Sequence, residues 1–223
     1  MSTKKERTNV PVITLVIFSV LFYFAWTLVE LLISPQLDGM SSQALAAFVR
    51  DCVIKNLLWT FPAFILIHKY NDRMMIGLKE MFTFNKECIK YLLLFVLFTV
   101  FILLNMFIHN GKIAISEDFG SDEIIVVLFV GLTEEMVFRG WLLNATAKRS
   151  ENAALAVNAV MFLAIHFPIW IHEGVFVSNF ANMGFISIML LSVVFGYVFL
   201  KTKNIVLPIA LHMYWDLLIF LLS

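Results

Sequence analysis

Cysteine is almost missing from this chain. Cys52 and Cys88 are the only two, and they fall in different segments. That excludes a disulfide framework and a cysteine-built metal cluster. Net charge is missing too, with 16 Lys and Arg against 16 Asp and Glu, so there is no broad basic surface for a nucleic acid. No internal repeat and no low-complexity segment is visible. The apolar run after the short basic stretch 1–9 has no small-residue cleavage site before Glu30. It therefore reads as a first membrane helix and not as a removed signal peptide.

What is present is apolar mass. The 223 residues are 61% hydrophobic and include 23 Phe, where a soluble domain is nearer ~45–50% apolar. Apolar runs of about 20 residues recur, and helices satisfy their own backbone groups in lipid. The expected fold is all-α, a polytopic membrane helical bundle of about seven transmembrane helices. The spans fall near 10–33, 43–68, 91–108, 123–147, 153–170, 183–200 and 205–222. Glu30 is expected at the interface, with a cavity-facing position as the second choice. Arg50, Asp51 and Lys55 mean that the second span starts late or faces the protein interior, and Pro62 is a possible kink within it. Residues 69–90 are basic with interspersed apolar side chains, which suggests an amphipathic helix lying at the interface. Pro168 is expected to end or bend the fifth span.

Loop charges orient the bundle. With the N-terminus inside, twelve Lys and Arg fall in inside loops, Lys112 alone in an outside loop, and Arg50, Lys55 and Arg139 within spans. This fits the positive-inside rule, with the N-terminus in and the C-terminus out. The chain reads as one integral membrane domain over 1–223. Residues 10–122 are N-terminal helices and the amphipathic connection, and 123–222 carry the chemistry.

That chemistry centres on Thr133-Glu134-Glu135-Met136-Val137-Phe138-Arg139. An ionisable group at bilayer depth costs at least about 2.5–3.5 kcal/mol on insertion scales, so it needs a partner or a task. Glu135 and Arg139 are four apart and can pair on a helix. Glu134 points elsewhere, about 100° round the helix, and must find a partner on another one. Counting from the inside end, Glu134 and His166 lie ~20 Å deep, Asp216 ~17 Å, Arg139 ~12 Å and His212 ~10 Å. His212 and Asp216 are four apart, so the carboxylate can orient the imidazole. Asn158, Phe162 and His166 share a helix face. Glu, His and Asp converging in a dry site suit a general base or a metal. His68, His109 and His172 read as interfacial, and His172-Glu173 lacks the second histidine of a zincin helix because position 176 is Phe176.

Glu134-Glu135-x-x-x-Arg139, Phe162-x-x-x-His166 and His212-x-x-x-Asp216 resemble the three motifs of the CAAX protease and bacteriocin-processing (CPBP, or Abi) family. These are polytopic intramembrane proteases related to the type II CAAX prenyl endopeptidase. The resemblance covers about 123–222, and makes that part a protease core. It implies that Glu134 and His166 position and activate a water, while His212 and Asp216 stabilise the oxyanion. The family often has Asn where Asp216 stands. An ionised Asp cannot donate, so Asp216 is expected to orient His212 or to act as a protonated donor. No cofactor is expected; Zn²⁺ on Glu134, His166 and His212 is possible but not favoured. The implied partner is a membrane-associated peptide or protein within a lipid bilayer, with no nucleic acid. The implied setting is a bacterial cell membrane, in bacteriocin processing or self-immunity. The polar groups suggest a cavity open to the cytosol and laterally to lipid. Two other classes compete: a non-proteolytic immunity or scaffold protein, and a small proton-coupled transporter.

Overall fold

The computed structural model describes residues 9–222. The basic Lys4, Lys5 and Arg7 and the C-terminal Ser223, on which the terminus assignments partly rest, lie outside them. Among the described residues the chain is helical without strands. The long helices are α1 (Val12–Asp38), α2 (Gln43–Lys69), α3 (Lys86–Asn110), α4 (121–146), α5 (Glu151–His172), α6 (Gly184–Thr202) and α7 (Val206–Leu221). Side-chain caps start several of them: Ser42 accepts from the Leu45 amide, Asn85 from Glu87 and Ser150 from Ala153. Gly111, at φ 70°, turns the chain out of α3.

Five helices (α1, α2, α3, α5 and α6) are long and apolar enough to cross a membrane. The expectation of seven is met by length and composition only in these. α4 carries Asp122, Glu123, Glu134, Glu135 and Arg139, and α7 is a shorter apolar helix. Large side chains such as Val16, Val20 and Phe24 on α1 and Val96, Val100 and Leu104 on α3 are exposed, as lipid-facing helix surfaces are.

α4 is the axis. From Thr133 to Ala145 every residue is buried, so its second half is enclosed on all sides. α2 and α7 flank its first half, and α5 with α6 closes over its second. The approach of α7 is close at Gly131, where a Cβ would stand 2.7 Å from Met213 Cγ and 3.1 Å from the Met213 amide nitrogen. α3 packs outside, with Phe98 and Ile102 against Phe195, Val198, Leu207 and Leu211 of α6 and α7.

The connection 70–85 is not an amphipathic interfacial helix. It makes a tight turn at Asn71–Arg73 and one short helix at Leu78–Met81, and folds inward. Met74, Ile76 and Met81 are 2%, 0% and 0% exposed. Buried Asn144 holds both backbone groups of Ile76, accepting from its amide at 2.8 Å and donating to its carbonyl at 2.9 Å. Satisfying a loop backbone this way lets it sit in a core.

Two ends are distinguishable by contact. Val10, the 70–85 connection, Lys148, Arg149 and the 202–205 turn meet at one, through bonds such as Arg149 to the Val10 carbonyl and Ile205 to the Met81 carbonyl. Asp38, His172, Ser116 and Leu221 gather at the other.

Candidate active site

The site is built where helices depart from regular geometry. Wide π-helical turns occupy Val29–Ile33, Phe48–Ile54, Asn56–Thr60 and Met136–Leu143. Such turns are rare and collect at functional sites. Here they carry Glu30, Arg50, Asp51, Trp59 and Arg139, and Lys55 sits between two of them. The turn at 56–60 lies directly before Pro62, which lacks an amide hydrogen, and α2 continues through the proline without a break. Asn158 donates to the Phe138 carbonyl at 2.9 Å, inside the widest of these turns.

α5 breaks at Ile165 and His166, just ahead of Pro168, and resumes at Phe167–His172. The expected bend is therefore present, and it has a consequence. The His166 amide bonds Leu163 instead of Phe162, so the Phe162 carbonyl loses its helical donor. His166 Nδ1 takes that place at 2.7 Å. A carbonyl only accepts, so Nδ1 carries the hydrogen and Nε2 keeps a lone pair.

Glu134, His166, His212 and Asp216 all line one cavity of about 230 Å³, with Glu30, Arg50, Asp51, Lys55, Trp26 and Trp59. It is polar and roomy enough for water. Glu134 is 5% exposed; its Oε1 is 3.7 Å from Lys55 Nζ and its Oε2 4.0 Å from His212 Nε2. Glu134 Oε2 has no hydrogen-bond partner.

Behind it, Glu135 and Arg139 form the expected i,i+4 pair at 2.8 Å, both wholly buried. Arg139 also donates to the Ser192 carbonyl and hydroxyl at 3.0 and 3.1 Å, and lies 4.5 Å over the Phe162 ring. The same Glu135 oxygen accepts from His212 Nδ1 at 2.9 Å. Glu135, and not Asp216, therefore has the hydrogen-bond contact with His212. Asp216 Oδ2 lies 3.5 Å from the other nitrogen, Nε2, on the cavity side. The i,i+4 spacing puts Asp216 beside the ring, but the Glu135 contact fixes which nitrogen is left for it.

One further expectation changes. Glu30 is not interfacial: it is 1% exposed and lines the cavity. Arg50, Asp51 and Lys55 face the interior, with Lys55 Nζ 3.1 Å from Asp51 Oδ1. These side chains come from α1 and α2, outside the three motifs. The available signal was Asp51 and Lys55 at i,i+4 in an apolar run, but single-helix spacing does not say which helix they face. The cavity opens at one end of the bundle. The lining continues through Arg50, Val126, Ile169 and Phe220 into a depression with Asp38, Asp122, Glu123 and Glu173. The mouth is thus at the end away from Val10 and the basic connection. His172 bonds Asp38 beside it at 2.7 Å.

Among the described residues no group of three His, Cys, Asp or Glu side chains is disposed to hold one metal ion. Glu134, His166 and His212 line the cavity without forming such a set.

Fold and site together define an α-helical membrane protein whose buried carboxylates and imidazoles meet in one cavity. Residues 122–218 match the family model described as Type II CAAX prenyl endopeptidase Rce1-like, which supports assignment to the CAAX protease family. That is a protease family, so the match supports an intramembrane peptidase in general. Neither a search of curated proteins nor a search of solved structures found a match.

Proposed function

We propose that the protein is an intramembrane endopeptidase that hydrolyses a peptide bond of a membrane-associated peptide or protein with water activated by Glu134 and His166. The observation that carries this is the convergence of Glu134, His166 and His212 from three helices on one cavity. Water between Glu134 and the Nε2 lone pair of His166 gives its proton to Glu134 as its oxygen attacks the scissile carbonyl. His212, held through Nδ1 by Glu135, donates from Nε2 to the oxyanion in its doubly protonated, imidazolium form. A donor of this kind contributes about 2.7–4 kcal/mol. The tetrahedral adduct collapses, and the proton on Glu134 passes to the departing amine. Asp216 acts on His212 Nε2 from beside it. Residues 123–222 form the catalytic core, and α1 and α2 complete the cavity wall.

No step is routed through a metal. All seven long helices are read as spans. The basic end lies inside by the positive-inside rule, which turns the mouth outward. A bacterial membrane and a role in bacteriocin processing or self-immunity suit this arrangement. A transporter is less well supported: Phe22, Trp59 and Phe138 pack edge-to-face on the side of the cavity away from its mouth.

The test is a cleavage assay on purified protein in liposomes with a panel of membrane-associated peptides, read by mass spectrometry. Wild type should cleave, Glu134→Gln should not, and chelator should change nothing. Cleavage persisting in Glu134→Gln overturns the mechanism. A chelator-sensitive activity overturns the metal-free reading, and a panel left intact by wild type favours a non-proteolytic immunity or scaffold role.

A further inference from the structure

The route from the mouth to Glu134 is strongly acidic. Four carboxylates stand at the rim, and Glu30, Asp51, Glu134 and Asp216 line the interior. Only Arg50 and Lys55 bring permanent positive charge to this lining, and both are engaged. Arg50 lies 3.3 Å from Asp38 and 3.2 Å from Asp51, while Lys55 lies 3.1 Å from Asp51 and 3.7 Å from Glu134. Acidity alone does not make a binding site.

Glu30 adds an independent observation. It is 1% exposed, yet neither carboxylate oxygen has a hydrogen-bond partner. Among the described residues it makes no ion pair; the Ser34 hydroxyl is near it but outside hydrogen-bond geometry, and Lys55, Arg50 and Asp51 are the charges around it. A carboxylate buried in this way is unfavourable until a donor or cation completes it. The wall beside it is aromatic and already accommodates an ammonium: Lys55 Nζ lies 5.0 Å from the Trp26 ring and 5.2 Å from Trp59. Indole faces attract cations, most strongly where water is scarce.

We propose that Glu30 is a specificity-determining residue that receives the ammonium or guanidinium group of a lysine or arginine in the substrate, so that the protein acts on cationic peptides. Glu30 is eight residues from the mouth end of α1 and Glu134 thirteen from the mouth end of α4. At 1.5 Å per residue their depths differ by about 8 Å. An extended peptide spans that in roughly two to three residues, which sets the basic residue that far to the mouth side of the cut. The cleavage step rests on the peptidase reading; the binding step does not.

The experiment uses full-length protein in nanodiscs and two apolar peptides with blocked ends, identical except for one lysine or norleucine. Binding is read by quenching of tryptophan fluorescence, since Trp26 and Trp59 line the cavity. Wild type should bind the lysine peptide at least tenfold more tightly. Glu30→Gln should bind both alike, and Glu30→Asp should keep part of the preference. If Glu30→Gln does not fold, a severalfold loss of preference in Glu30→Asp serves instead. No lysine preference in wild type, or a full preference in the variant that folds, overturns the proposal. Cleavage is followed in the same samples. Preference without cleavage sinks the peptidase reading and leaves the Glu30 site standing; cleavage without preference does the reverse.

Discussion

At the scale of single residues, one carboxylate oxygen does two jobs. Glu135 Oε1 accepts from Arg139 Nη1 at 2.8 Å and from His212 Nδ1 at 2.9 Å. Removing Arg139 therefore leaves Glu135 buried without its cation and loosens His212 as well. Arg139→Leu should lower stability by about 3–5 kcal/mol, measured as unfolding in mild detergent. Arg139→Lys should not restore it, because an ammonium cannot reach Glu135 and Ser192 together as a guanidinium fork does. In the proposed mechanism Lys55, 3.7 Å from Glu134, positions it. Lys55→Met should cut kcat/KM roughly tenfold to a hundredfold, the cost of a misplaced reacting group. Lys55→Arg should recover part of it, and the loss should fall on kcat with KM little changed.

At the scale of elements, the contact between α4 and α7 sets where His212 stands. Met213, the next residue, presses on Gly131 through its backbone as well as its side chain. Gly131→Leu should therefore force the helices apart, lower stability by about 1–3 kcal/mol and abolish cleavage. Gly131→Ala should be milder, yet still measurable in the same unfolding assay. Helix positions were legible in the sequence because long apolar runs announce themselves, and the i,i+4 pair Glu135–Arg139 follows from helical spacing alone. The 70–85 connection was not legible. Its apolar residues look interfacial until Asn144, 68 residues beyond Ile76 in sequence, supplies the backbone bonds that allow burial. Glu30 was misread for the same reason: a charge near the end of a span looks interfacial unless the facing helix is known. Asn144→Ala should accordingly speed hydrogen exchange across 74–81, with smaller changes at α6.

At the scale of the whole molecule, charge divides by end. Basic residues collect around the 70–85 connection, and the acidic mouth lies opposite. In a background of Cys52→Ser and Cys88→Ser, single cysteines at exposed Lys86 and Glu117 should react with an impermeant thiol reagent from opposite faces of the membrane. Labelling of Glu117→Cys from the outer face would fix the mouth there. The aromatic layer of Phe22, Trp59 and Phe138 then acquires an electrical meaning. Water filling the cavity from its mouth would carry the potential of the solution down to Glu134, with the packed rings on its far side. The transmembrane voltage falls across that layer, where a full crossing is worth about 2.3 kcal/mol per charge per 100 mV. In the proposed mechanism proton movements around Glu134 and His212 would traverse little of the field, and turnover in a polarised vesicle should match turnover in a depolarised one.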